Sequence, residues 1–173
     1  MKKIKLKWIL ISCLALILIV FGIYRYYAYV MHDQWDERNL AMIEAKKSTD
    51  LVSVSNTQKS VWDENNIYWV LEGKNKAKQD VMVWVNFTRT GKVKKGPNVV
   101  HSELMTNGIS KEKMEAQIKT LIPGVEDMRL LPGAYDGEYA WQLFYKVKDH
   151  YYYRFFRFSD GKELGTVFTL PNR

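Results

Sequence analysis

One cysteine, three histidines and four prolines are all that the 173 residues contain of those types, and each scarcity removes a class of answer. Cys13 lies inside an apolar run, so the remainder of the chain has neither a disulfide framework nor thiol chemistry. His32, His101 and His150 stand far apart. None has the close helical or hairpin spacing that a zinc site takes from histidines and acids, and all three are expected to face solvent. The chain also lacks G-x-S-x-G, H-E-x-x-H and a Gly-rich phosphate loop, and with them the commonest signatures of acyl transfer, metalloproteolysis and nucleotide binding. Acid pairs do occur, at Asp36-Glu37, Asp63-Glu64 and Glu126-Asp127, but at expected element ends, where turns and helix N-termini favour acids. No catalytic residue, metal ligand or cofactor-binding residue is therefore assigned, and no small-molecule substrate is identified.

Basic residues outnumber acids 26 to 19, yet Lys2, Lys3, Lys5, Lys7 and Arg25 precede the first acid. The remainder is nearly neutral, which argues against nucleic-acid binding. From Trp8 to Tyr24 the stretch WILISCLALILIVFGIY carries no charge. At about 1.5 Å per residue it spans roughly 25 Å, and Arg25 can snorkel while Tyr24, Tyr26, Tyr27 and Tyr29 suit a headgroup zone. Lysines before the run and mixed charges after it place the N-terminus in the cytoplasm and the rest outside, by the positive-inside rule. RYYAYV is a poor processing site. Leu10-Ile11-Ser12-Cys13 only formally resembles an acylation site, because few apolar residues precede Cys13. An uncleaved signal-anchor is expected.

No Gly or Pro occurs between Gly22 and Gly73. HDQWDERNLAMIEAKKSTD is rich in helix formers, which predicts a helix over about 36 to 49, continuous with the anchor or separate from it. Strands are expected at Leu51 to Val61, Ile67 to Leu71 and Val81 to Phe87, the last alternating with period two. After GKVKKGPNVVHSELMTNG, read as a linker, Ser110 caps a second helix. Ile109 can staple onto Met114, Ile118 and Leu121 continue the apolar stripe, and Pro123-Gly124 ends it. Strands at Val125 to Leu131, Tyr139 to Val147 and Tyr151 to Phe158 repeat the order. The expected organisation is a basic tail at 1–7, an anchor at 8–30, a first α+β domain at 31–95, a linker at 96–109 and a second α+β domain at 110–173. Each domain is a helix packed on a small antiparallel sheet, and units this small are expected to pack together.

The segment YYYRFFRF, Tyr151 to Phe158, places six rings in eight positions. DVMVWVNFTRTGKV and HYYYRFFRFSDGKEL each end in a turn glycine followed by lysine. Counting back from Gly91 and Gly161 aligns Val81, Val83 and Val85 with Tyr151, Tyr153 and Phe155 as the helix-facing side. That sends Met82, Trp84 and Asn86, with Tyr152, Arg154 and Phe156, to the opposite face. Large rings around an arginine have the composition of binding hot spots, so Trp84, Tyr152, Arg154 and Phe156 are the candidate partner-binding residues. Packing against the other domain is the competing role for that face.

ISKEKMEAQIKTLIPGVEDMRLL, EYAWQLFYKV and YYYRFFRFSDGKEL together resemble a PepSY-type module. The whole order, with ERNLAMIEAKKSTDL, YWVLEG and VMVWV after one N-terminal anchor, is similar to the TseB/YpmB-like family of membrane-anchored extracytoplasmic proteins of Gram-positive bacteria. The resemblance implies tandem cystatin-like domains, no catalytic residues, and regulation of cell wall elongation alongside penicillin-binding proteins. One departure is visible: PepSY modules often carry Asp four residues before the turn glycine, where this chain has Phe87 and Arg157. A second function class, a PepSY-type inhibitor or ligand-binding module acting on an extracellular protease or wall polymer, stays open at this level. The mass of the membrane-extracted protein tests the anchor; an N-terminus beyond residue 25, or a lipid on Cys13, would contradict it.

Overall fold

The computed structural model describes residues 2–171. Met1, Asn172 and Arg173 lie outside the described residues, as do the side chains of 2–7, 9, 10, 29–31 and 33, and with them most of the expected basic tail at 1–7. The chain divides into two compact units, Met1–Glu37 and Arg38–Arg173.

The first unit is helical. It belongs to α1, Lys2–Ser48, whose length follows from the missing helix breakers. Ile11–Ala28 has a mean hydropathy of 1.8 and is long and apolar enough to cross a membrane. Cys13 is exposed on it, and the Tyr27 and Trp35 rings meet edge to face at 6.3 Å.

The second unit holds the end of α1, two four-stranded antiparallel sheets and α2, so the α+β class and the two helix-on-sheet halves are observed. The first sheet has the order β1 (Leu51–Val61), β2 (Ile67–Asn75), β3 (Asp80–Asn86), β4 (Val100–Leu104). Ala41 and Ala45, four residues apart on one face of α1, are fully buried against Leu51, Leu71, Val81, Val83, Val85 and Phe87. Their small side chains let the helix lie close to the sheet. The second sheet has the order β5 (Glu126–Tyr135), β6 (Glu138–Val147), β7 (His150–Arg157), β8 (Glu163–Thr169). Its helix is α2, Lys111–Leu121, capped by Ser110, whose hydroxyl accepts from the Lys113 N–H. Met114 and Ile118 of α2 are buried with Leu130, Trp141, Leu143, Tyr145, Phe156 and Phe158.

Two expectations are corrected. Residues 96–109 are not merely a linker. They contain β4, paired with β3 from Val81↔Leu104 to Val85↔Val100, and a 3-10 turn at Met105–Asn107. The run VVHSEL is too short and mixed to declare itself as a strand; the exposed edge of β3 recruits it, because a buried strand needs its backbone groups paired.

The second correction concerns the faces. Val81, Val83 and Val85 do face a helix, but Tyr153 and Phe155 do not; Phe156 and Phe158 face α2 instead. The two hairpins differ by one residue. In the first, the Thr88 N–H donates to the Lys92 carbonyl across three residues; in the second, the Arg157 N–H donates to the Lys162 carbonyl across four. Gly91 (φ 73°) and Gly161 (φ 68°) both take the left-handed conformation that such turns require. Aligning the glycines therefore misaligns the strands by one position, and one position exchanges the faces of a strand. Because Phe156 is fully buried, Phe156→Ala is expected to cost about 3–5 kcal/mol. Tyr152→Ser should cost clearly less, since Tyr152 is half-buried. Chemical denaturation of the detergent-solubilised protein measures both, and a cost for Phe156 no greater than for Tyr152 would contradict this packing.

Candidate interaction surface

The four residues singled out from sequence do not form an exposed face. Trp84 is fully buried and its indole N–H donates to the Gly133 carbonyl at 2.9 Å. Its ring packs against Tyr139 and Phe158 of the second half, at 4.8 and 5.1 Å between centroids. Phe156 lies in the core. Tyr152 stacks on Tyr145 at 5.2 Å, while Arg154 lies over that same ring and has its Nε 3.5 Å from Glu163. The alternative weighed for the first-sheet part of this face, packing between the halves, is what Trp84 does. Val70, Met82 and Trp84 of the first sheet share one core with α2 and the second sheet.

At the junction the backbones come close. A Cβ on Gly133 would lie 2.3 Å from the Ser60 hydroxyl, and that hydroxyl donates to the Gln142 side-chain oxygen at 3.1 Å. Beyond Ser60 the chain turns at Asp63, whose carboxylate accepts from the Asn65 and Asn66 N–H groups and from the Asn66 side chain. The Asn66 side-chain donor is the largest cause holding Asp63 below the usual carboxylate range; burial opposes it, and the Asn65 and Asn66 backbone donors and Lys94 add to the lowering. This turn positions Trp62, which meets Phe155, Phe168 and Tyr153 at 4.7, 4.8 and 5.7 Å on the side of the second sheet away from α2.

Trp62 covers only part of that side. Phe144, Tyr151 and Tyr153 remain half-buried, with Phe144 nearly parallel to Tyr151 at 5.3 Å and 9°, and 5.1 Å from Tyr153. Arg129 lies 5.9 Å from the Phe144 ring centre, and Lys146 lies 5.8 Å from that of Tyr151. Beside this shelf runs an open groove of about 270 Å³, lined by Lys59, Ser60, Arg129, Gln142, Phe144 and Tyr153. The sequence pattern suggests rings around an arginine on Trp84, Tyr152, Arg154 and Phe156, whereas the half-exposed rings beside cations are Phe144, Tyr151 and Tyr153. The alternation of Trp141, Leu143 and Tyr145 already puts Phe144 on the other side, and pairing of Phe144 with Tyr153 carries Tyr151 and Tyr153 with it.

A second depression, of about 410 Å³, includes His101, Glu103, Tyr139 and Arg157 in its lining. His101, expected to face solvent, instead stacks on Tyr139 at 4.0 Å and 7° and contacts Glu103 at 3.1 Å. Burial, then Tyr68 and Glu103, push the Tyr139 phenol up to about 12. The charges here are already engaged: Asn107 donates to Glu103, and Arg157 pairs with Glu138 and Asp160. Among the described residues no group of three His, Cys, Asp or Glu is placed to hold a metal ion.

An apolar helix followed by two helix-on-sheet halves, with one ring-and-cation shelf left half open, defines a tandem α+β protein equipped with a candidate contact surface. Residues 41–86, from the end of α1 through β3, match the family described as cell wall elongation regulator TseB-like domain. The fold is similar to that of the YpmB protein from Bacillus subtilis, with a TM-score of 0.60 and 26% identity over 75% of this chain and 94% of that one. No curated protein matches. Residues 41–86 are thus TseB-like in sequence, and the fold as a whole is YpmB-like. Trp84→Phe keeps the ring and strands the Gly133 carbonyl, so it is expected to cost about 1–3 kcal/mol; thermal unfolding that leaves the midpoint unmoved would show that the hydrogen bond does not hold the halves together.

Proposed function

We propose that this protein is a non-enzymatic, membrane-anchored, extracytoplasmic regulator or scaffold of cell wall elongation, acting through contacts with a penicillin-binding protein. The observation that carries this reading is the TseB-like match over residues 41–86 within a YpmB-like fold. The apolar segment Ile11–Ala28 supplies the anchor, and the positive-inside pattern orients the folded part outward.

The proposed contact surface is the shelf of Phe144, Tyr151 and Tyr153 with Arg129 and Lys146. Rings half exposed beside cations suit the centre of an interface, where aromatic and arginine side chains dominate the binding energy. Phe156 and Trp84 belong to the core on the α2 side of the second sheet and are not part of that surface.

In cross-linked membranes the wild-type protein is expected to capture a penicillin-binding protein, and Tyr151→Ser/Tyr153→Ser to lose most of that capture with only a small change in melting temperature. Capture of a protease instead, or undiminished capture by the double variant, would overturn the reading.

A further inference from the structure

We propose that the shelf binds an acidic segment of its partner, in extended conformation, through two carboxylates separated by one residue. The inference rests on the reading of this face as the partner-binding surface and adds the chemistry that the face selects. Arg129 and Lys146 form no ion pair among the described residues; each is instead held above a ring. Glu126 lies across from Lys146 in the strand register, yet the ammonium group keeps to Tyr151. Cations fixed in this way are pre-ordered for an anion and lose little side-chain freedom when one arrives.

The spacing of the two cations specifies the ligand further. Arg129 sits directly opposite Phe144, and Lys146 is two residues farther along β6 on the same face. Such diagonal neighbours on adjacent strands are about 7–8 Å apart. Side chains on one side of an extended peptide repeat every ~6.6 Å. Carboxylates at positions i and i+2 therefore reach both cations at once, whereas carboxylates at i and i+3 point to opposite sides of the peptide. Their methylene stems would rest against Phe144 and Tyr151, which lie beside the two cations in the paired register. Residue i+1 points away and is left unspecified. Lys59 and Ser60 line the same groove as Arg129.

The test uses the full detergent-solubilised chain and three fluorescein-labelled probe peptides with glycine flanks: Glu-Ser-Glu, Gln-Ser-Gln and Glu-Ser-Ser-Glu. At low salt, Glu-Ser-Glu is expected to bind about five- to tenfold more tightly than either of the others, with the preference shrinking as salt rises. Arg129→Ala/Lys146→Ala should erase the preference without moving the melting temperature by more than a few degrees. Arg129→Glu/Lys146→Glu should transfer it to a Lys-Ser-Lys probe. Equal binding of the two acidic spacings, binding of inorganic polyphosphate but not of the peptide, or an unchanged preference in the alanine variant would each overturn the proposal. If Tyr151→Ser/Tyr153→Ser still loses its cross-linked partner while the peptides are not discriminated, the acidic-segment chemistry alone is wrong; if cross-linking persists as well, the surface assignment fails with it.

Discussion

Neither sheet can stand with one face bare, and the indole of Trp84 is where that constraint is met. A four-stranded sheet carrying one helix covers a single face, and a unit of this size buries too little apolar surface to be firmly stable alone. Trp84 fills the gap between the halves, and its fully buried N–H is satisfied by the Gly133 carbonyl. Gly133 can take that place only because it has no Cβ to meet Ser60. Once these groups are set, Val70, Met82 and Trp84 complete the core beneath α2, and the end of β1 is carried over the far side of the second sheet.

The position of β1 accounts for which rings are hidden and which remain half open. Trp62, fixed by the Asp63 turn, closes over Phe155 and Phe168 but stops short of Phe144 and Tyr151. The uncovered rings keep Arg129 and Lys146 above them, each contact contributing about 0.5–1 kcal/mol at an exposed site. A chain that needed this face only for packing would gain more from covering it with apolar side chains than from decorating it with cations. The charged depression around His101 and Arg157 is different in kind, since its acids and bases are already engaged with one another.

Element types were legible wherever pattern and punctuation agreed. β1 runs from Leu51 to Val61 as its composition indicates, Ser110 caps α2, and the helix that ends at Ser48 follows from the absence of glycine and proline. β4 was not legible, because VVHSEL becomes a strand only when the edge of β3 is there to pair with it. The ring-and-cation shelf was half legible: the density of rings between Tyr151 and Phe158 announced a face of special composition, while its orientation was misread from the turn glycines.

What the sequence determined by itself is local and additive: an apolar segment long enough for a bilayer, a period-two alternation along each strand, caps and left-handed glycines at turns. These depend on chain geometry and solvent transfer, which act on a few neighbouring residues at a time. What the tertiary structure alone decided is the side on which each alternation points. A strand reads equally well with either face inward, and the choice here came from one extra residue in the hairpin between Arg157 and Lys162. That residue turned Phe156 toward α2 and left Tyr151 and Tyr153 beside Phe144, since facing is fixed only when a strand is paired, registered and pressed against another layer.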